Sequence, residues 1–141
     1  MKILKRLSLL LMMICVCWMY SSCMLLGSPV GTYKFQSLTY TTPTAIGSLK
    51  VEWTVGDTDV TGFTYTEDFY TITLKEDGTA TSVTQFGEEA VTFEGTWVQA
   101  GFANVEISFD GEPLVWRRQG DLLQCSFEFE GTVNEYVLKK V

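Results

Sequence analysis

Glycines recur at short intervals through the second half of the chain, and this spacing restricts the fold more than any other feature. The glycines at these turns are Gly78, Gly87, Gly101, Gly111, Gly120 and Gly131, 9 to 14 residues apart. Asp77-Gly78 is the strongest short hairpin signal, and turns about 8–12 residues apart are typical of consecutive antiparallel strands. The spacing therefore predicts a series of β-hairpins.

The segments between these glycines alternate apolar and polar residues with the period of a half-buried strand. They cover residues 70–75, 91–97, 105–109, 114–116, 123–129 and 136–138. Gly95 lies inside one of them, where a bulge or a tight bend is expected rather than a turn. No window shows helical spacing with caps.

The first part of the domain is less regular. Residues 31–39 and 49–55 are predicted strands, and residues 60–65 a weaker one. Residues 40–44 are predicted to form a loop, because Pro43 lacks a backbone donor and restricts Thr42. Short connections make consecutive strands antiparallel neighbours, and closure removes exposed sheet edges. We therefore predict an all-β fold over residues 31–141: an antiparallel up-and-down β-barrel of about 8–10 strands.

The N-terminal residues have the pattern of an export signal. Lys2, Lys5 and Arg6 precede an apolar run, and Ser21-Ser22-Cys23 follows it. A cysteine after small residues resembles the lipobox of bacterial lipoproteins, whose thiol receives a diacylglycerol. This predicts a signal peptide over residues 1–22, lipid attachment at Cys23 and a short tether over 23–30. An uncleaved membrane span over residues 7–26 is the alternative, since its length suits a bilayer. Both alternatives place the barrel on the extracytoplasmic side of a membrane.

The net charge of the mature chain limits the partners that it can bind. All 17 acidic residues and seven of the ten basic ones follow Cys23, so the mature chain carries 7 − 17 = −10. Without a stripe of Lys and Arg to displace counterions, nucleic acid is excluded as a partner. The expected membrane contact is the lipid anchor, because an acidic domain is repelled by an anionic bilayer surface.

The residue inventory argues against catalysis. The chain has no histidine, which removes the commonest general base and the usual zinc sites. Cys125 is the one cysteine left beyond the lipid site, and its strand phase predicts a buried, unreactive thiol. Four carboxylate pairs fall in predicted, solvated turns: Asp57/Asp59, Glu67/Asp68, Glu76/Asp77 and Glu88/Glu89. We therefore predict no enzymatic activity, no catalytic residue, no metal site and no cofactor.

Two further features concern the barrel interior. Seven aromatic residues fall mostly on one strand phase: Phe93, Trp97, Phe109, Trp116, Phe127, Phe129 and Tyr136. So many inward rings favour a filled barrel with at best a shallow pocket at one open end, although the same rings could line an apolar pocket. Of Arg117 and Arg118, one is expected to point inward or toward the barrel mouth, where the pair would form a polar lip suited to a small anion; contact with water at the strand end is the alternative.

Several of these segments resemble the small lipocalin-like lipoproteins of bacterial cell envelopes, a mostly uncharacterised family. They are Gly31-Thr32-Tyr33-Lys34, residues 74–79 with Asp77-Gly78-Thr79, Gly95-Thr96-Trp97, residues 120–123 and residues 136–140. In that family such motifs mark successive strands, so the resemblance implies a lipocalin-like barrel located in the cell envelope. Two functions stay open: binding of a small apolar or amphipathic ligand, or a structural or interaction module that contacts an envelope protein through a filled barrel.

Overall fold

The structure, a computed structural model, describes residues 27–141, and these residues form a closed antiparallel β-barrel. The predicted signal peptide, Cys23 and the first part of the tether lie outside the described residues. The strands are β1 (Gly31–Thr44), β2 (Gly47–Thr54), β3 (Tyr70–Leu74), β4 (Thr79–Phe86), β5 (Glu89–Ala100), β6 (Asn104–Phe109), β7 (Glu112–Gln119), β8 (Leu122–Phe129) and β9 (Thr132–Lys140). A single 3-10 turn, Glu67–Phe69, precedes β3, and no helix in this part of the chain is long and apolar enough to cross a membrane.

Eight of the strands close the barrel, which confirms the predicted architecture. From β3 to β9 each strand pairs with the next in sequence, and β1 pairs with both β3 and β9. The extra strand β2 pairs with β1 from Ser37 to Thr44, beyond the Gly31–Lys34 part of β1 that pairs with β3. The long strand β1 therefore changes neighbour on one side along its length.

The predicted turns are also observed. Gly78 has φ +83° between β3 and β4, a conformation that favours glycine, and the other five predicted turn glycines also have positive φ. The Asp77 carboxylate accepts hydrogen bonds from the backbone N–H and the hydroxyl of Thr79. Local residue chemistry thus fixes this hairpin.

Two predictions for the first part of the domain are wrong. Residues 40–44 continue β1, and Pro43 is paired with Ser48 of β2. The pairing of β1 with β9 ends at Thr41, so Pro43 has a strand on one side only and its missing donor can be tolerated. Residues 60–65 are not a strand; a single bridge joins Thr58 and Thr64.

Gly95 allows β5 and β6 to pack closely against each other. The register of β5 with β4 and with β6 is continuous at Gly95, so no bulge occurs there. A Cβ atom at this position would lie 2.0 Å from the carbonyl oxygen of Ser108 and 2.8 Å from Cδ1 of Phe109. Glycine therefore lets the backbone of β6 approach β5. A register shift occurs instead between Phe35 and Ser37, where β1 pairs with β9.

The two ends of the barrel differ, and we name them by β1. The closed end is where β1 begins and β9 ends; the open end is where β1 ends and β9 begins. From the closed end to the middle, the interior is filled by large apolar side chains at most 2 % exposed: Tyr33, Phe35, Leu38, Ile72, Leu74, Val105, Ile107, Leu123 and Leu138.

Residues 27–30 cover the closed end. The Tyr33 hydroxyl donates a hydrogen bond to the carbonyl oxygen of Pro29 at 2.8 Å. Nη2 of Arg118 and Nζ of Lys140 donate to the carbonyl oxygens of Gly27 and Ser28, both at 3.0 Å. The chain therefore enters the barrel through a segment fastened across its base.

Candidate functional site

A cavity of about 290 Å³ lies inside the open end of the barrel. On one side it is bounded by Tyr40 of β1, Tyr70 of β3, and Thr84 and Phe86 of β4. These strands present the side chains inward because each position is in phase with buried residues nearer the closed end. We call this space the aromatic cavity.

The opposite wall comes from the strands that follow later in the chain. Leu114 and Trp116 of β7, Phe127 of β8 and Tyr136 of β9 line it. The rings of Phe127 and Tyr136 stack with centroids 6.0 Å apart, and Tyr136 lies 5.4 Å from Tyr70 on the facing wall. Rings from both walls therefore meet at Tyr136.

The connection between β2 and β3 supplies the third side. Its rings Phe63, Tyr65 and Phe69 pack together, with centroid distances of 5.1 Å between Phe63 and Tyr65 and 4.9 Å between Tyr65 and Phe69. Phe69 also reaches Phe35 in the core, at 5.0 Å, and Phe86 on β4, at 5.5 Å. Edge-to-face contacts at these distances are favourable beyond the area they bury.

Acidic residues give this connection its shape. Oδ1 of Asp59 accepts hydrogen bonds from the backbone N–H groups of Thr61, at 2.9 Å, and Phe63, at 3.1 Å. Oδ2 of Asp57 accepts one from the backbone of Thr54 at 2.8 Å. The sequence interpretation missed this cluster, since it assigned residues 60–65 to a strand. Its signal was three aromatic residues within seven positions of an otherwise polar segment.

Four tyrosines contribute hydroxyl groups to the cavity lining: Tyr40, Tyr65, Tyr70 and Tyr136. Burial raises the pKa of Tyr70 to about 12. Burial, followed by the nearby Tyr40, Tyr70 and Tyr65, raises the pKa of Tyr136. The phenols therefore stay neutral near pH 7 and can donate or accept a hydrogen bond. Among residues 27–141, no charged side chain lines the cavity. The arrangement suits a flat, neutral molecule with few polar atoms.

All seven aromatic residues that were predicted to point inward lie on the inward-facing side of their strands, but not all of them are buried. Trp116 is buried, and Trp97, Phe109, Phe127 and Tyr136 pack partly buried against the core. Phe93 and Phe129 are 45 % and 64 % exposed, so their expected part in filling the barrel is wrong. The reason is how far the neighbouring strands extend toward the open end. β6 ends opposite Gly95, and β7 pairs with β8 no further than Gln124.

A second cavity, of about 470 Å³, opens on the barrel wall where β7 and β8 separate. These strands form only three pairs, from Arg117↔Gln124 to Gln119↔Leu122. Val115, Arg117, Gln124, Ser126 and Glu135 line the opening, and Tyr136 borders both this cavity and the aromatic one. We call this opening the β7–β8 split.

The arginine pair does not form a lip of the aromatic cavity, so that expectation is wrong. Arg118 points inward, as expected of one member of the pair. It lies at the closed end, however, where it is 5 % exposed and donates its hydrogen bond to Gly27. Arg117 is exposed and borders the β7–β8 split. Neighbouring residues on a strand face opposite sides, which accounts for the difference.

The other predicted positions have structural roles. Cys125 is buried, and burial raises the pKa of its thiol to about 11, so the thiol stays protonated near pH 7. Asp68 bonds to Nζ of Lys34 at 2.6 Å and ties the 3-10 turn to β1. Glu88 and Glu89 are exposed. Within residues 27–141 no three Cys, Asp or Glu residues gather into a metal-binding group.

No protein-family model, curated protein or solved structure matches this chain. Membership of the lipocalin-like envelope lipoproteins therefore stays a prediction, and function has to be argued from the aromatic cavity and its surroundings.

Proposed function

We propose that this protein is a lipoprotein of the cell envelope, held to a membrane through Cys23, whose barrel binds one small apolar or amphipathic molecule. The observation that supports this is the ring-lined cavity of about 290 Å³ inside a closed barrel. Ligand pockets usually measure about 300–1,000 Å³, so the ligand is small. The proposal includes no reaction, because no Asp, Glu or Lys among residues 27–141 lines the cavity together with the tyrosine hydroxyls.

The chemistry of the lining defines the ligand class. Burying apolar surface contributes about 25 cal/mol per Å², and stacking on rings such as Tyr136 and Phe127 adds to this. A charged ligand would lose its hydration without meeting a counterion, since the lining that residues 27–141 provide holds no charged side chain. Hydrogen bonds from tyrosine hydroxyls such as Tyr40 would orient one or two polar atoms.

An interaction module is the second candidate. Phe86, Phe93 and Phe129 are all more than two-fifths exposed at the rim of the open end. Exposed apolar rings on the rim of one end favour contact with another protein. An envelope protein docked on this rim would bury these rings.

The ligand proposal is tested with a neutral fluorescent probe, N-phenyl-1-naphthylamine, added to the purified protein. We expect saturable binding at one site, and at least tenfold weaker binding by Thr84→Trp, because Thr84 lines the cavity and an indole there would fill it. The matched control is Thr92→Trp, on the exposed face of β5. Equal affinity of the two variants, or no binding by the unmodified protein, would contradict the proposal.

Native mass spectrometry tests the same proposal without choosing a probe. The protein is extracted gently from its membrane, and an apolar molecule bound at one copy per chain is expected. Recovery of a specific envelope protein by cross-linking, with no bound small molecule, would favour the interaction module.

The anchor is tested separately by metabolic labelling with palmitate. Replacing Cys23 with Ala removes the thiol that would carry the lipid, so labelling should disappear and the domain should be released or remain as precursor. Labelling that persists in Cys23→Ala would show that the attachment site is elsewhere.

A further inference from the structure

The hairpin of β7 and β8 opens after three residue pairs although both strands continue. Residues 112–116 of β7 and 125–129 of β8 lie beyond the last pair, Arg117↔Gln124. On their other sides these segments stay paired, β7 with β6 and β8 with β9. Two strand edges therefore border the same opening in the barrel wall.

Strand edges have a specific binding chemistry. Each carries a row of backbone N–H and C=O groups, and such groups need a partner unless water supplies one. An extended peptide offers matching donors and acceptors at the same rise of about 3.3 Å per residue. The cavity of about 470 Å³ at the split provides room beside the edges.

We propose that the β7–β8 split binds an extended peptide segment of a partner protein by strand addition. Such a segment of about five residues would match the length of the two edges and complete the barrel wall. This site is distinct from the aromatic cavity, and its occupation does not require a ligand there.

The flanking side chains set the sequence that the peptide needs. Alternate residues of an added strand face the two sides of the sheet. On the inner side they would meet Trp116 and Tyr136, which favours apolar residues. On the outer side they would meet Arg117, Glu135 and the polar Gln124 and Ser126, which favours polar residues of either charge. The expected peptide therefore alternates apolar and polar residues.

The free edge of β2 is a weaker candidate for the same chemistry. It offers one edge, and no residue of β2 is buried. The β7–β8 split offers two edges and a concave surface between them. A peptide in the split would bury both of its own edges, which a single open edge cannot do.

The first test selects binders from a display library of random ten-residue peptides against the purified protein. Selected peptides should alternate apolar and polar residues. Those amides among residues 114–116 and 125–129 that face the split should exchange at least tenfold more slowly on binding, while exchange of the β3–β4 hairpin stays unchanged. No enriched peptide, or protection along β2 instead, would overturn the proposal. The proposal would also be overturned if these amides already exchange slowly in the free protein and sedimentation shows that the free protein is a dimer.

The second test closes the split. Continuing the register of β7 with β8 by two steps would place Val115 opposite Ser126. A disulfide between Val115→Cys and Ser126→Cys, in a Cys125→Ala background, would therefore hold the split shut, because it requires the two Cα atoms to come within about 4.4–6.8 Å. Oxidation should weaken peptide binding at least tenfold, and reduction should restore it. The matched control is Val83→Cys with Thr92→Cys, a pair already opposite in β4 and β5. Unchanged binding to the oxidised β7–β8 variant would overturn the proposal.

N-methylation of the peptide provides a readout that does not depend on the variant. Alternate N–H groups of a strand face opposite edges, so methyl groups on alternate backbone nitrogens of the peptide block one edge at a time. Because the split offers two edges, methylation in either phase should abolish binding. A loss in one phase only would show that a single edge is used and would overturn binding within the split. No loss in either phase would exclude strand addition.

Discussion

The closed and open ends of this barrel are built by the same strands, yet only one end is filled. At the closed end every strand has a neighbour on both sides, and residues 27–30 cover the base. At the open end β5 extends beyond β6, and β8 separates from β7. The comparison teaches that strand phase decides which way a side chain points, whereas the height of the neighbouring strands decides whether it is buried.

The largest difference is expected between one phenylalanine from each end. Phe35 is fully buried, so Phe35→Ala should lower the free energy of unfolding by about 3–5 kcal/mol. Phe129 has the same inward phase but is mostly exposed, so Phe129→Ala should cost less than about 1 kcal/mol. Urea unfolding midpoints measure both. Similar losses would remove the distinction between the two ends.

A second pair of variants tests where the closely packed part of the barrel ends. Gly95→Ala would place a methyl group against the backbone of Ser108, which cannot move without disturbing β6, so a loss of about 3 kcal/mol is expected. Gly120 has φ +61° but open space around it, so Gly120→Ala should cost only about 1 kcal/mol. Thermal unfolding of both variants provides the comparison. A smaller loss for Gly95→Ala would mean that β6 does not press against β5 there.

Alkaline pH should weaken the wall of the aromatic cavity. Burial raises the pKa of Tyr70 from 10 to about 12. Below pH 10 the phenol is neutral in the folded and the unfolded chain, and its contribution to stability is complete. Between pH 10 and 12 the unfolded chain releases the proton and the folded protein keeps it, so stability falls as pH rises, by about 2–3 kcal/mol in total.

The control for this effect is Tyr70→Phe, which cannot ionise at this position. Urea unfolding at pH 9, 10, 11 and 12 should give a shallower decline for Tyr70→Phe than for the unmodified protein. Parallel declines would show that Tyr70 is not desolvated and that the cavity wall is open to water.

The smallest expected effect concerns the cover of the closed end. Tyr33→Phe removes the 2.8 Å hydrogen bond to Pro29 and leaves the ring in place, so a loss of about 1 kcal/mol is expected. Lys140→Met removes a bond from a more exposed donor and should cost less. If Lys140→Met proves the more damaging change, residues 27–30 are not held by the buried bond.

Much of the barrel could be predicted from the sequence because its signals are local. Turn glycines and alternation act within a few residues, and they identified β3, β5 to β9 and the inward phase of rings such as Trp116, whereas no predicted segment covered β4. Pro43 misled the prediction because a proline stops a strand only where a second neighbour needs its N–H group. That neighbour comes from β9, some 90 residues away, and no local pattern reports it.

The candidate site was harder to predict for the same reason. Tyr40, Tyr65 and Tyr136 meet only because β1 pairs with β9 and the connection after β2 folds over the interior. The arginine doublet shows the limit clearly. The alternation predicted that one member would face inward, but which end of the barrel it reached depended on the direction of β7. Strand height and strand separation are properties of the whole sheet.

The fastened segment at residues 27–30 also sets how the molecule would stand on a bilayer. If Cys23 carries the proposed lipid, three residues separate it from Gly27, and the four residue-to-residue steps reach about 14 Å at full extension. The base of the barrel would then rest near the lipid headgroups, with the aromatic cavity facing the aqueous compartment. A ligand would have to arrive dissolved or be handed over by another protein, and molecules within the same bilayer leaflet would have no direct path to Tyr136.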